Sequence, residues 1–419
     1  MAFTDTMICI PFIYFTALFA YFYSEQRRWG IDLAATSLLI IISLCAILID
    51  INDEYGDYGI NEYAVTLPSI FLFCLQWTIV LLPLHYLSGL DFRQHHPVKE
   101  KMLYALAVVV AISSILILAS SINDIREALI MDMVDVRGAH YKELAQGTEA
   151  SGNYLMVIPT ILTNNPFPTL ALFLWFYMKA FMNTSILVRA GILMASILQA
   201  ITAITMSGRA AMIYWAFDFF LIYSFFYRYI SFRTKLTINL ICSVIGSLAA
   251  ILFISITIAR FDSGSFNPLA SLYGYAGQHI NNFCIMIEEG GDTPLLTDRI
   301  FPLLTKHFGG VEFDMVEHYE KLASYTPATV NVFDTFGGEV FLDLGWLGYI
   351  LCLLLLYLFY IYLQSDFKEL QFHHIFLLTV CVAFFTRGLF AWPFTGYYTT
   401  YALFLMFVSF FMFKYEYKI

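Results

Sequence analysis

The stretch that decides the fold is residues 340–363, VFLDLGWLGYILCLLLLYLFYIYL. Its 24 residues include one charged side chain, Asp343. A helix of this length crosses about 30 Å, the thickness of the hydrocarbon core of a membrane. The rest of the chain has the same character, because 60% of its 419 residues are hydrophobic and 13% are charged, whereas soluble globular proteins carry about 25% charged residues. The sequence therefore predicts an integral membrane protein.

Apolar blocks long enough to cross a bilayer follow one another along the chain. They predict an all-α polytopic membrane protein with about eleven transmembrane helices and a large helical extracytoplasmic loop. The predicted parts are a transmembrane bundle at 1–258 with a shorter extracytoplasmic loop at about 122–165, the large loop at 259–335, and C-terminal transmembrane helices at 336–419. The predicted spans are 7–23, 33–50, 64–87, 102–121, 166–182, 185–206, 210–227, 236–258, 340–363, 375–392 and 396–413.

The basic residues of the short loops predict the orientation. Lys and Arg collect in loops on one side, for example at Arg27, Arg228 and Lys235, and such loops are typically cytoplasmic. The opposite side holds an acidic hairpin between Asp50 and Glu62 and the two larger loops. An odd number of spans then places the N-terminus outside the cytoplasm and the C-terminus inside it. The formal net charge of −10 belongs mostly to the outer segments and does not indicate a basic ligand.

Four arginines are predicted to lie near the outer face: Arg209 in a tight turn, Arg260 at the end of the eighth span, Arg299 in the large loop and Arg387 within the tenth span. A charge at or in a membrane is costly unless it faces a partner or a polar cavity. A guanidinium donates paired hydrogen bonds to phosphate oxygens and stays charged. The four arginines are therefore candidate ligands for a lipid diphosphate. The alternative, strongest for Arg260 and Arg299, is a side chain that reaches the headgroup region.

Two carboxylates precede the long apolar stretch quoted above. If a helix begins near Gly338, Glu339 and Asp343 lie at i and i+4 on one face, at the outer entrance of the ninth span. This placement suits a general base beside a membrane-bound substrate, although acidic residues also stabilise a helix N-terminus through its dipole. Asp218 lies in the middle of the seventh span, where a structural hydrogen bond is the favoured interpretation.

With these features the chain resembles the Wzy-type O-antigen polymerases, which join oligosaccharide repeat units at the bacterial inner membrane. The matching features are the many spans, a longer second outer loop, the turn Ser207-Gly208-Arg209, and an acidic residue followed by Gly-x-x-Gly at 345–348. Arg299 and Gly310 match the Arg-x10-Gly spacing of the family's periplasmic loops. The order of these features along the chain favours the resemblance more than any single one.

Two departures qualify the resemblance. In the earlier loop, Arg137 and Gly147 are one residue too close for the same spacing. O-antigen ligases share the architecture but usually carry a His-Asn pair about eleven residues before the Gly-x-x-Gly, where this chain has Asp334-Thr335. The second departure favours a polymerase over a ligase.

The resemblance implies a membrane glycosyltransferase of lipopolysaccharide or related surface-polysaccharide biosynthesis, acting on the periplasmic side of the bacterial inner membrane. It would transfer a glycan chain from undecaprenyl diphosphate to a sugar hydroxyl of another lipid-linked unit, with Arg209, Arg260, Arg299 and Arg387 stabilising the diphosphate leaving group. The candidates for the general base are Glu339 first, then Asp334, Asp343 and His318.

The implied partners are undecaprenyl-diphosphate-linked oligosaccharides, membrane lipid and a chain-length regulator, with no nucleic acid. No cofactor is expected, and the chemistry is predicted to be independent of metal. The alternative functions are an O-antigen ligase and a lipid-linked oligosaccharide flippase or transporter, and a scaffold without activity is a third reading. A transporter would line a path through the bilayer with cationic residues, whereas these arginines are predicted to gather at the outer rim.

Overall fold

The fold is known from a computed structural model, in which the described residues are almost entirely helical. Fifteen α-helices account for most of them, and the described part contains no strand beyond an isolated bridge between Phe92 and Leu370. The predicted all-α class is confirmed. The structure describes residues 7–51, 65–92, 100–130, 154–182, 184–202, 210–261, 268–290, 297–310, 314–326, 330 and 335–415.

The helices are numbered here in chain order. They are α1 Cys9–Gln26, α2 Ile31–Ile51, α3 Leu67–Gly89, α4 Glu100–Ile130, α5 Val157–Thr163, α6 Phe167–Phe181, α7 Ile186–Thr202, α8 Ala210–Phe226, α9 Phe232–Phe261, α10 Pro268–Glu289, α11 Pro302–Leu304, α12 Met315–Tyr325, α13 Thr335–Asp366, α14 His374–Gly388 and α15 Tyr397–Tyr415.

Within the described residues, a helix overlaps each of the eleven predicted apolar blocks; these helices are α1–α4, α6–α9 and α13–α15. Four helices in the described part are long and apolar enough to cross a membrane: α2, α3, α4 and α13. A fifth span results if α5 and α6, which meet at a bend of 65°, are counted as one. Several helices can therefore cross a membrane, and the total of eleven stays a prediction.

Helix α10 lies within the predicted large loop and packs into the helical bundle. All eleven residues at 277–287 are buried, and α10 packs against α2, α3 and α13. The approach to α2 is close, since a Cβ at Gly277 would lie 2.5 Å from the backbone nitrogen of Ala46. The polar residues of α10, such as Gln278 and Asn281, lower its hydropathy, so the sequence did not indicate a buried helix here.

Helix α13 has a sharp kink at Gly345. The side chain of Gln76 in α3 contacts residues on both sides of this kink. Its Nε2 donates to the Thr335 hydroxyl at 3.5 Å, and its Oε1 accepts from the Tyr349 hydroxyl at 3.4 Å. In a straight helix, residues 335 and 349 would lie about 21 Å apart. Gly345 allows the fold because its φ of 63° and ψ of −167° lie in a region open essentially to glycine alone.

The fold in α13 changes the predicted geometry of the ninth span. The helix begins at Thr335 rather than near Gly338. Residues 335–344 form a short segment that turns back against the bundle, and the long apolar part follows at 346–366. Leu347 and Leu355 in this long part are exposed, as lipid-facing side chains are. The short segment carries Glu339 and Asp343.

The two ends of α3 differ in chemistry. At its C-terminal end, Arg28 donates to the carbonyls of Ser88 and Gly89. Arg28 and Arg228 both pair with Asp91, at 3.4 and 3.0 Å. At its N-terminal end, the Thr66 hydroxyl donates to Glu288 of α10. The basic end is the one that the charge pattern assigns to the cytoplasm.

Candidate functional site

The short first segment of α13 holds two buried carboxylates on successive turns. Glu339 and Asp343 are 2% and 1% exposed. The start of this segment is fixed by Thr335, whose hydroxyl accepts from the backbone N–H of Gly338 at 3.4 Å. Because unpaired charge is costly when buried, both carboxylates need partners from other elements.

Glu339 has both of its oxygens occupied. Its Oε1 accepts from Nη2 of Arg299, and its Oε2 accepts from the backbone N–H of Trp392. The side chains of Arg299 and Glu339 are 7% and 2% exposed, and the Arg299 guanidinium also lies over the Tyr319 ring, 5.1 Å from its centroid. Glu339 therefore connects α13 to Arg299 of the large loop and to the chain that follows α14.

Asp343 belongs to a chain of three ionisable groups. Its Oδ1 lies 3.1 Å from Nε2 of His318, and Nδ1 of His318 lies 3.0 Å from Oδ1 of Asp298. The His318 side chain is fully buried, while Asp298 is 13% exposed. The second oxygen of Asp343, Oδ2, is also buried and has no hydrogen-bond partner among the described residues.

His318 is held as an imidazolium. Burial lowers its pKa, but the hydrogen bonds and negative charges of Asp298 and Asp343 outweigh burial and raise the pKa to about 9. For Asp298, burial raises the pKa, and the hydrogen bond and charge of His318 outweigh it, so that the pKa lies below its usual value. At neutral pH both ring nitrogens of His318 therefore donate, one to each carboxylate.

A second buried network lies next to the first. Nη1 of Arg387 pairs with Oδ2 of Asp218 at 3.0 Å. The hydroxyls of Thr169 and Thr386 donate to the two oxygens of Asp218 at 2.6 and 2.7 Å, and the guanidinium of Arg387 lies 5.4 Å from the centroid of the Tyr214 ring. Asp218, predicted to form a structural hydrogen bond, thus neutralises Arg387.

Tyr214 and the turn after α14 connect the two networks. The charges of Arg387, Glu339 and Arg299 all act on the Tyr214 hydroxyl. The carbonyl of Arg387 accepts from the backbone N–H of Phe390 at 2.9 Å, and two residues further on Trp392 donates to Glu339. Two guanidinium groups, each paired with a carboxylate, therefore lie close enough for their charges to act on one tyrosine hydroxyl.

The structure brings together part of the predicted site. Arg299, Glu339, Asp343 and His318 form one cluster, and Arg387 lies in the adjoining network. Arg209 and Asp334 lie outside the described residues. Arg260 lies in α9, but its side chain is not among those that the structure describes.

The sequence did not predict the roles of Asp298 and Tyr214. Asp298 directly precedes Arg299, but no spacing connects it to His318, and Tyr214 resembles the other aromatic residues of the spans. One signal for the second network was present, because an Asp and an Arg inside two different spans are expected to pair.

The described ranges contain no group of three or more His, Cys, Asp or Glu side chains arranged to hold a metal ion. Both ring nitrogens of His318 lie within hydrogen-bonding distance of carboxylates.

Comparison of the chain with protein-family profiles, with curated proteins and with solved structures finds no match.

Proposed function

We propose that the protein polymerises undecaprenyl-diphosphate-linked oligosaccharide repeat units on the periplasmic side of the bacterial inner membrane. The observation that carries the proposal is the buried Arg299–Glu339 pair beside the chain Asp343–His318–Asp298. This cluster combines a cation suited to a diphosphate with carboxylates suited to a sugar hydroxyl. It lies in a protein whose helices include several that can cross a membrane.

Arg299 and Arg387 are the proposed ligands of the diphosphate among the described side chains. Each guanidinium pairs with a carboxylate in the structure. A guanidinium carries five N–H donors, so a diphosphate oxygen can accept from N–H groups other than the one that faces the carboxylate. Breaking the anomeric bond leaves charge on the diphosphate, which fixed cations stabilise. Arg209 and Arg260 remain proposed ligands on the sequence alone.

The topology belongs to the same proposal. Eleven spans place the N-terminus in the periplasm and the C-terminus in the cytoplasm, with the large loop at 259–335 on the periplasmic side. The cluster would then lie on the side of the membrane where lipid-linked repeat units are joined. The opposite end of α3, where Arg28 and Arg228 lie, would face the cytoplasm.

The test is polymerisation by the purified protein in lipid nanodiscs. Supplied with short lipid-linked repeat units, the wild-type protein should give a ladder of longer chains on a gel. At equal amounts of folded protein, judged by gel filtration, Arg299→Ala should reduce the ladder by about 100-fold or more, because one cation at a reacting charge contributes a factor of about 10²–10³. Arg233→Ala is the matched control, since Arg233 is exposed and should leave the ladder unchanged.

The same assay separates the alternatives. A ligase would leave the unit length unchanged and transfer one chain to a different acceptor. A flippase would move labelled substrate across the bilayer without changing its length. Absence of a ladder from the wild-type protein would overturn the proposed function.

A further inference from the structure

The two oxygens of Asp343 have different surroundings. Oδ1 faces Nε2 of His318 at 3.1 Å, whereas Oδ2 is buried and has no hydrogen-bond partner among the described residues. A buried acceptor without a donor destabilises the folded state, so we expect a site that serves only stability to satisfy it. An oxygen of this kind is ready to accept a hydrogen bond from a hydroxyl group that enters the site.

Glu339, unlike Asp343, has no carboxylate oxygen without a hydrogen-bond donor. Both of its oxygens already accept hydrogen bonds, one from Arg299 and one from the backbone of Trp392. Taking a proton from a substrate would require Glu339 to give up one of these donors. Its contacts make it the residue that positions Arg299, although the sequence placed it first among the candidates for the general base.

His318 and Asp298 prepare Asp343 for proton transfer. A donating imidazolium opposes the effect of burial on Asp343, because burial favours the neutral acid whereas the hydrogen bond and positive charge of His318 favour the ionised form. Asp298 contacts the far side of the ring at 3.0 Å, so the ring cannot rotate without losing a hydrogen bond. Among the described residues, Arg299 of the loop and Glu339 of α13 also act on Asp343 through their charges, and the charge of Lys321 of α12 acts on Asp298.

We propose that Asp343 is the general base for the acceptor hydroxyl, and that His318 and Asp298 are positioning residues that hold it. The inference rests on the proposed polymerase function. The acceptor sugar hydroxyl gives its proton to Oδ2 of Asp343, and its oxygen forms the new bond to the anomeric carbon of the donor chain. The bond from that carbon to the diphosphate breaks, and its electron pair leaves on the diphosphate oxygen. The proton passes from Asp343 to water after the product departs.

The experiment measures the initial rate of chain elongation between pH 5.5 and 10 for four proteins: wild type, Asp343→Asn, His318→Gln and Asp298→Asn. Asp343→Asn should lower kcat by about 100-fold or more, since general bases contribute a factor of about 10²–10⁴, with a KM for the acceptor close to the wild-type value. Glu317→Gln is the matched control, because Glu317 precedes His318 in α12 and is 62% exposed.

The pH profile separates positioning from a purely structural role. The wild-type rate should fall as pH rises through about 9, where His318 loses its proton. His318→Gln should remove this basic limb, and Asp298→Asn should move it to lower pH because one of the two carboxylates that stabilise the imidazolium is gone. If His318 acted on stability alone, the loss of rate with pH would follow the loss of folded protein, measured by gel filtration in detergent at each pH. A limb in protein that is still folded indicates positioning.

Two results would overturn the inference while the proposed function stands. One is that the wild-type protein makes a ladder and Asp343→Asn elongates chains at the same rate. The other is a basic limb that stays near the same pH in Asp298→Asn. If Asp343→Asn does not fold, as judged by gel filtration in detergent, a nitrogen-15 titration of His318 in the wild-type protein decides, and a pKa near 6.5 would contradict the arrangement. A wild-type protein that makes no ladder would overturn both the function and the inference.

Discussion

At the scale of single residues, the Arg299–Glu339 pair is the interaction whose loss should cost most. Both side chains are nearly inaccessible to solvent, so each is desolvated and depends on the other. Removing one member of such a pair costs about 3–5 kcal/mol, because a buried charge is left alone, whereas removing both is less costly than the sum.

We therefore expect Arg299→Ala and Glu339→Ala each to lower the free energy of unfolding by about 3–5 kcal/mol, measured by denaturant titration in detergent. The double variant should lose clearly less than the sum of the single losses. The exposed pair Lys321–Glu317 is the control, since its side chains are 45% and 62% exposed and such pairs contribute at most about 1 kcal/mol. Additive losses at residues 299 and 339 would mean that the pair is not coupled.

His318 gives the stability of the protein a pH dependence of known sign. Its pKa in the folded protein, about 9, is above the ordinary value of 6.5, so the folded state binds the proton more tightly than the unfolded state. The resulting stabilisation is complete below pH 6.5 and is lost as pH rises through about 9. The difference between the two pKa values corresponds to roughly 3 kcal/mol.

Between pH 6 and pH 9.5 the melting temperature of the wild-type protein should therefore fall relative to that of His318→Gln. Differential scanning fluorimetry on both proteins in the same detergent checks this. Parallel melting curves across the whole interval would show that His318 titrates alike in the folded and unfolded states.

At the scale of the helices, the fold in α13 depends on one backbone position. Gly345→Ala should lower the free energy of unfolding by about 1–3 kcal/mol, because a side chain is strained at this φ and ψ. It should also reduce polymerisation, since straightening α13 would draw Glu339 and Asp343 away from Arg299 and His318.

The matched control is Gly246→Ala in α9. A Cβ there would meet nothing within 4 Å, and alanine is favoured over glycine inside a helix by up to about 1 kcal/mol. This variant should be as stable as the wild type or slightly more so, with unchanged activity. A loss of stability at residue 246 similar to that at residue 345 would show that α13 has no special requirement for glycine.

The helices were largely predictable from the sequence, and the reason is their composition. Apolar blocks such as 33–50 leave little alternative to a helix, and α2 Ile31–Ile51 extends the block by two residues at one end and one at the other. Helix α10 was not predictable in the same way, because its buried polar residues gave it the composition of a loop. The fold at Gly345 was visible only as a Gly-x-x-Gly pattern without a stated geometry.

The candidate site was predictable in its members but not in its pairing. The sequence selected Arg299, His318, Glu339 and Asp343 from residue type and predicted position. It did not show that Arg299 would pair with Glu339 rather than with Asp343, since both carboxylates lie on one face of α13. The partners of His318 depend on how the loop packs onto α13, which no local pattern in the chain encodes.

At the scale of the whole molecule, two contacts mark opposite ends of α3. Arg28 and Arg228 pair with Asp91 at one end, and Thr66 contacts Glu288 at the other. The proposed topology assigns these ends to opposite sides of the membrane. Residues near the Thr66 end should then be accessible from the periplasm, and residues near the Asp91 end should be accessible from the cytoplasm.

Labelling with a membrane-impermeant maleimide tests this assignment. After the seven native cysteines are replaced by alanine, Phe308→Cys should react in intact spheroplasts, and Phe232→Cys should react only after lysis. Both positions are well exposed, at 87% and 77%, so accessibility to the reagent is matched. Reaction of Phe232→Cys in intact spheroplasts would reverse the proposed orientation.

The Arg387–Asp218 pair also has a consequence for how the chain is assembled. Helix α14 carries Arg387 in its last turn and no acidic residue of its own, and an arginine in a membrane segment is costly unless it has a partner. Its partner Asp218 is synthesised 169 residues earlier. On the proposed topology, α8 must still be accessible when α14 leaves the ribosome, so the bundle around Asp218 closes only once the last helices have entered the bilayer.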